Sequence, residues 1–149
     1  MARRRLLRAA GALAGLMVLA GCSPLVHDVH VLASDDMGGR DNQTEGSARA
    51  QRYLIDRLDD FAVGLGASAS GDDAFRHAFA GGTNILALIP GTEQPDEYLI
   101  IGAHYDHLGS RCRTADPADT ICNGATDNAT GVAAVLAIGE QLARERGGP

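Results

Sequence analysis

The sequence predicts an α/β fold in which helices cover a buried sheet, and two observations carry that prediction. Residues 84–89, closed by Pro90-Gly91, and residues 98–103 form near-continuous apolar runs. Such runs mark strands buried on both faces, as in a sheet sandwiched by helices. Around them lie segments whose apolar residues recur at helical spacing, the pattern of helices with one covered face.

Taken in order, residues 1–21 read as an export signal and stand outside the fold. Arg3, Arg4, Arg5 and Arg8 give a positive start, and Ala9 to Ala20 is an apolar stretch too short for a stable membrane span. It ends in Leu19-Ala20-Gly21-Cys22, which looks like a bacterial lipobox with cleavage before Cys22 and acylation of that residue. Each buried acyl CH₂ adds about 0.8 kcal/mol, so several chains hold a protein on a bilayer without a spanning helix. The expected location is exported and lipid-anchored, at the outer membrane, in the periplasm or on the cell surface. Residues 22–149 remain as one domain portion.

His27 to Ala33 suggests a first helix, and Gly38-Gly39-Arg40-Asp41-Asn42 a loop. Thr44 or Ser47 can cap a second helix running to about Phe61, with Ala50, Leu54, Leu58 and Phe61 inward and Arg49, Arg52, Asp56 and Arg57 outward. Phe75, His77 and Phe79 alternate with Arg76 and Ala78 as in a half-exposed strand, making His77 a surface residue. The last helix starts near Asp127 or Asn128. Val132, Val135, Leu136, Gly139 and Leu142 share its apolar face, while Glu140, Gln141 and Arg144 look away. A further strand is expected after Gly147-Gly148-Pro149.

Charge narrows the partners. Removing the signal takes four of the 13 arginines and none of the 19 acidic residues, leaving a formal charge of about −10 with no lysine. A surface that acidic argues against nucleic acid. With Cys22 acylated, Cys112 and Cys122 have one possible pairing. A disulfide suits an oxidising compartment, whereas their spacing matches no zinc knuckle.

The chemistry concentrates in two segments. His104 and Asp106 lie two apart at the end of an apolar strand, so they share a face. An imidazole can bind metal through one nitrogen while the other donates to a carboxylate. His104 is therefore the candidate ligand and Asp106 its catalytic orienter. His107 projects to the opposite face of a regular strand, unless a bend at Gly109 redirects it. Asp127 opens the last helix, either as a simple cap or as a carboxylate bridging two metal ions about 3.5–4 Å apart. Gly124 and Gly131 permit close backbone approach around it.

Residues 83–91, then 100–109 with His104-Tyr105-Asp106-His107, then 124–133 with Asp127-Asn128, together resemble the co-catalytic two-zinc aminopeptidase family. That family includes leucyl aminopeptidases, glutamate carboxypeptidase and glutaminyl cyclase. Residues 32–40, ending Gly38-Gly39-Arg40, look like its N-terminal segment. The resemblance implies a three-layer α/β/α mixed sheet of the zinc-exopeptidase type, two zinc ions, and peptide substrates. It implies that His104 binds one zinc, Asp106 orients it and Asp127 bridges both, with a cis peptide after Asp127. The family continues with an adjacent Glu-Glu pair, an aspartate and a histidine. Downstream of Asp127 the glutamates are Glu140 and Glu145, well separated, and no histidine follows His107. The expectation is thus the N-terminal half of such a domain, inactive by itself. A non-catalytic binding or scaffold lipoprotein and a glutaminyl cyclase are the alternative readings.

Overall fold

The computed structural model describes residues 23–66, 69–113 and 116–146. The lipobox and Cys22 lie outside the described residues, and within them no helix is long and apolar enough to cross a membrane. Helix α1 (Pro24–Leu32) starts earlier than His27 because Ser23 caps it, its Oγ accepting from the Val26 N–H at 3.4 Å. Pro24 takes a first-turn position where no N–H is required. A short 3₁₀ turn, Asp35–Arg40, then bends through Gly38 at φ 54° and Gly39 at φ 68°.

Helix α2 (Glu45–Asp59) is capped by Thr44, whose hydroxyl accepts from the Ser47 N–H at 3.3 Å. It buries Ala50, Leu54 and Ile55, and Phe61 closes the core just beyond it. Arg49, Arg52 and Asp56 face solvent as expected. Arg57 does not. It folds onto Asp28 of α1, a carboxylate only 1 % exposed, with Nε at 2.9 Å and Nη2 at 3.3 Å. Tyr53 donates its hydroxyl to the same carboxylate. A buried charge needs partners of this kind, and supplying them turns Arg57 inward.

Helix α3 (Thr130–Glu145) begins after a single wide turn, Ala125–Ala129, in which Asp127 and Asn128 are not helical. Its covered face centres on Val132, Ala133, Leu136 and Ala143, while Leu142 is 38 % exposed. Val132 and Leu136 are on the expected face, whose centre is turned by about a sixth of a turn. Gly139 lies under the Phe61 ring, where a Cβ would come within 2.9 Å. Glu140, expected outside, is only partly exposed and pairs with Arg57 at 3.6 Å. The core where α1, α2 and α3 meet contains Leu32, Leu54, Phe61, Val132 and Leu136.

The β structure departs most from expectation. Strands β2 (Arg76–Phe79) and β3 (Gly82–Ile85) form an antiparallel hairpin, with His77 opposite Asn84 and exposed. Strand β1 (Val63–Gly64) pairs antiparallel with β4 (Ala87–Leu88). The apolar run at 84–89 is therefore divided at Leu86, and its two parts join different sheets. Among the described residues, two separate two-stranded sheets stand where one covered sheet was expected. Residues 98–103 have no strand partner among the described residues, and Tyr98, Leu99 and Ile100 are 74, 81 and 90 % exposed. Apolarity supplies the driving force for burial, but a doubly buried strand also needs neighbours at both edges. The result is mixed helical and β structure, compatible with the α/β class.

Candidate functional site

Arg40 organises the region around the two motif segments. Its residue is fully buried, and its backbone takes a positive φ of 53°, a conformation that costs a non-glycine residue about 1–2 kcal/mol. The guanidinium donates to four carbonyls: Leu32, Tyr105 (2.7 Å), Asn123 (2.7 Å) and Gly124 (3.0 Å). One side chain thus joins the end of α1, the His104-Tyr105-Asp106 segment and the approach to Asp127. Burial lowers the Arg40 pKa, and the nearby Asp106 and Asp127 carboxylates oppose that shift.

Backbone contacts complete the frame. His107 N–H donates to Arg40 O at 3.3 Å, Gly109 N–H to Gly39 O at 3.0 Å, and Cys122 N–H to Gly109 O at 2.7 Å. A Cβ on Gly39 would overlap the Gly109 backbone, and one on Gly124 would meet Arg40 Nη2 and His107 Cδ2 at 2.7 Å each. Asn123 donates to Ala33 O at 2.8 Å and to Asp35 Oδ1 at 2.7 Å. Cys112 and Cys122 form a disulfide with their Cα atoms 5.2 Å apart, closing the loop between the two segments.

This frame brings His104 and Asp127 together. His104 Nε2 lies 3.2 Å from Asp127 Oδ1. On the other side of the ring, Nδ1 lies 3.2 Å from the Asp106 backbone oxygen and 3.6 Å from its Oδ1. The Asp106 carboxylate is itself held by Asn42, whose Nδ2 donates to Oδ2 at 2.9 Å. The peptide between Asp127 and Asn128 is cis. Asn128 Oδ1 accepts from the Gly131 N–H in the first turn of α3 at 3.2 Å. Both His104 and Asp127 face solvent, at 55 and 67 % side-chain exposure, as groups that meet a ligand must.

Four contributors have no role assigned from sequence. His107 turns back toward the site, with Nδ1 3.6 Å from Asp127 Oδ2. The signal for it was Gly109, whose φ of 69° marks the bend. Asn42 and Arg40 lie in a glycine-rich stretch that reads as a loop, and Arg40 also ends the segment that resembles the family's N-terminal part. Tyr105, between the two motif residues, sends its hydroxyl to Thr83 O at 2.7 Å, and burial raises its pKa.

Chemically, an imidazole nitrogen and a carboxylate oxygen at this separation suit a tetrahedral cation. Zinc–nitrogen bonds of about 2.0–2.1 Å and zinc–oxygen bonds of about 2.0–2.2 Å separate adjacent donors by roughly 3.3–3.5 Å. His104 Nε2 and Asp127 Oδ1 approach that edge at 3.2 Å. They fit two vertices. Among the described residues, no group of three or more His, Cys, Asp or Glu side chains is placed to hold a metal ion. A complete two-metal site is thus not assembled there.

Comparison with curated proteins and with solved structures yields no match. Residues 84–149, which include both motif segments and α3, match the model of peptidase family M28. That match supports this peptidase family in general, and with it a hydrolase, for the segment carrying His104, Asp106 and Asp127.

Proposed function

We propose that this chain is an exported, lipid-anchored protein carrying part of a zinc-dependent aminopeptidase centre that acts on peptides. The observation that carries the reading is the approach of His104 Nε2 to Asp127 Oδ1 at 3.2 Å, within the segment that matches a peptidase family. His104 and Asp127 would hold zinc, Asp127 being the carboxylate able to reach a second ion. Asp106 and Asn42 fix the ring, since the histidine's other nitrogen faces Asp106. Zinc when bound polarises a carbonyl and acidifies water. Arg40 keeps the two segments in register.

The remaining ligands and a general base are proposed to come from outside the described residues, so the 149-residue chain is expected to bind zinc weakly and turn over no peptide. Competition with a chromophoric chelator tests the binding. Removing a ligand typically costs more than the roughly 10–100-fold lost with an outer hydrogen-bonding partner, so His104→Ala and Asp127→Asn should each weaken zinc by at least about tenfold. Zinc affinity unchanged by both substitutions overturns the metal reading. It would favour a non-catalytic scaffold. Peptide hydrolysis well above a His104→Ala control overturns the expectation of inactivity. Anchoring rests on Cys22, and labelling with radioactive palmitate should be lost in Cys22→Ala.

A further inference from the structure

A cleft of about 310 Å³ lies between the start of α2 and the β2–β3 hairpin, lined by Asn42, Thr44, Ser47, Gln51, Phe79 and Thr83 among others. We infer that it binds an uncharged, hydrogen-bonding side chain of a peptide, of the carboxamide kind, and is coupled to the His104 site through Asn42. The inference rests on the peptidase reading for the ligand being a peptide, and deepens it by naming a side-chain class.

Three observations converge. No side chain lining the cleft carries a charge, so an ammonium or carboxylate entering it would lose hydration without a counter-ion. The lining offers amides and hydroxyls, with Gln51 already oriented by a 3.3 Å hydrogen bond to the Ser47 hydroxyl. Phe79, 56 % exposed, adds an apolar wall suited to a methylene stem. Gly82 keeps the cleft open: a Cβ there would come within 2.8 Å of the Phe79 ring and 3.0 Å of Asn42 Oδ1. Asn42 faces both ways, since its Nδ2 donates to the Asp106 carboxylate beside His104. A ligand seated against Asn42 therefore lies one hydrogen bond from the group that orients the imidazole.

The test is NMR titration of the ¹⁵N-labelled 149-residue chain with N-acetyl-glutamine methylamide and its glutamate and leucine counterparts. The glutamine compound should shift amides of residues 42–51 and 79–83 saturably, and bind about tenfold tighter than either counterpart, because a site built for hydrogen bonds rejects analogues lacking them. Ala48 also lines the cleft; Ala48→Leu, which fills it, and Gln51→Leu should each weaken binding at least about fivefold while leaving α1 and α3 amides in place. The shifts should persist in His104→Ala, which separates failure of the cleft from failure of the metal reading. Absence of saturable shifts, or leucine or glutamate binding as tightly as glutamine, overturns the inference.

Discussion

Arg40 is where the positions of His104 and Asp127 are decided, because its guanidinium is bonded on both sides of the site. Hydrogen bonds to charged donors contribute about 1.5–3 kcal/mol each, and the buried carbonyls they serve have no water to replace them. Arg40→Ala should therefore lower stability by about 3–5 kcal/mol, read as a lower urea midpoint at unchanged slope. Arg40→Lys keeps the charge but not the planar fork, so it should recover less than half of that loss. Gly39 is equally constrained. Its φ of 68° and its contact with Gly109 leave no room for a methyl group, and Gly39→Ala should cost at least about 1–3 kcal/mol in the same measurement.

Between elements, the Asp28 carboxylate holds α1 to α2 through Tyr53 and Arg57, and Arg57 extends the contact to Glu140 on α3. Burial and the hydrogen bond to Asp28 raise the Tyr53 pKa well above its ordinary 10.0. A raised folded-state pKa means a contribution that is complete below the unfolded value and lost as pH rises toward the folded one. Stability should thus fall as pH climbs above about 10. In Tyr53→Phe that alkaline loss should shrink, at the cost of about 1 kcal/mol at neutral pH. Urea unfolding of both proteins from pH 8 to 11 checks this. Parallel curves would show that Tyr53 does not carry the dependence.

For the whole molecule, the Cys112–Cys122 disulfide closes a loop with a sequence separation of 10 and sits between the segments bearing His104 and Asp127. Loop closure of that length stabilises by about 2–3 kcal/mol. Reduction, or Cys112→Ser with Cys122→Ser, should lower the thermal midpoint by about 4–12 °C, at about 2–4 °C per kcal/mol for a chain of this size. Calorimetry with and without reductant measures it. The exposed apolar residues 98–101 mark the other large-scale feature, since unpaired apolar backbone of this kind promotes association. They are also where composition and structure disagree most.

What could be read from sequence was local or depended on one residue's chemistry. Thr44 and its helix, the exposed His77 strand, the cysteine pair, and the small residues at Gly124 and Gly131 follow from capping, alternation, compartment and sterics. The meeting of His104 with Asp127 was legible from the chemistry of the two motif segments, although residues 98–103 form no strand before His104 and Asp127 lies in the turn ahead of α3. Tertiary structure alone decided the rest. Arg57 and Glu140 turned inward because a buried aspartate on another helix required a counter-charge. Arg40 and Asn42 gained their roles from carbonyls and a carboxylate more than 60 residues away in the chain. The apolar runs split or stayed unpaired because periodicity fixes which residues seek burial, whereas strand partners come from elsewhere in the chain.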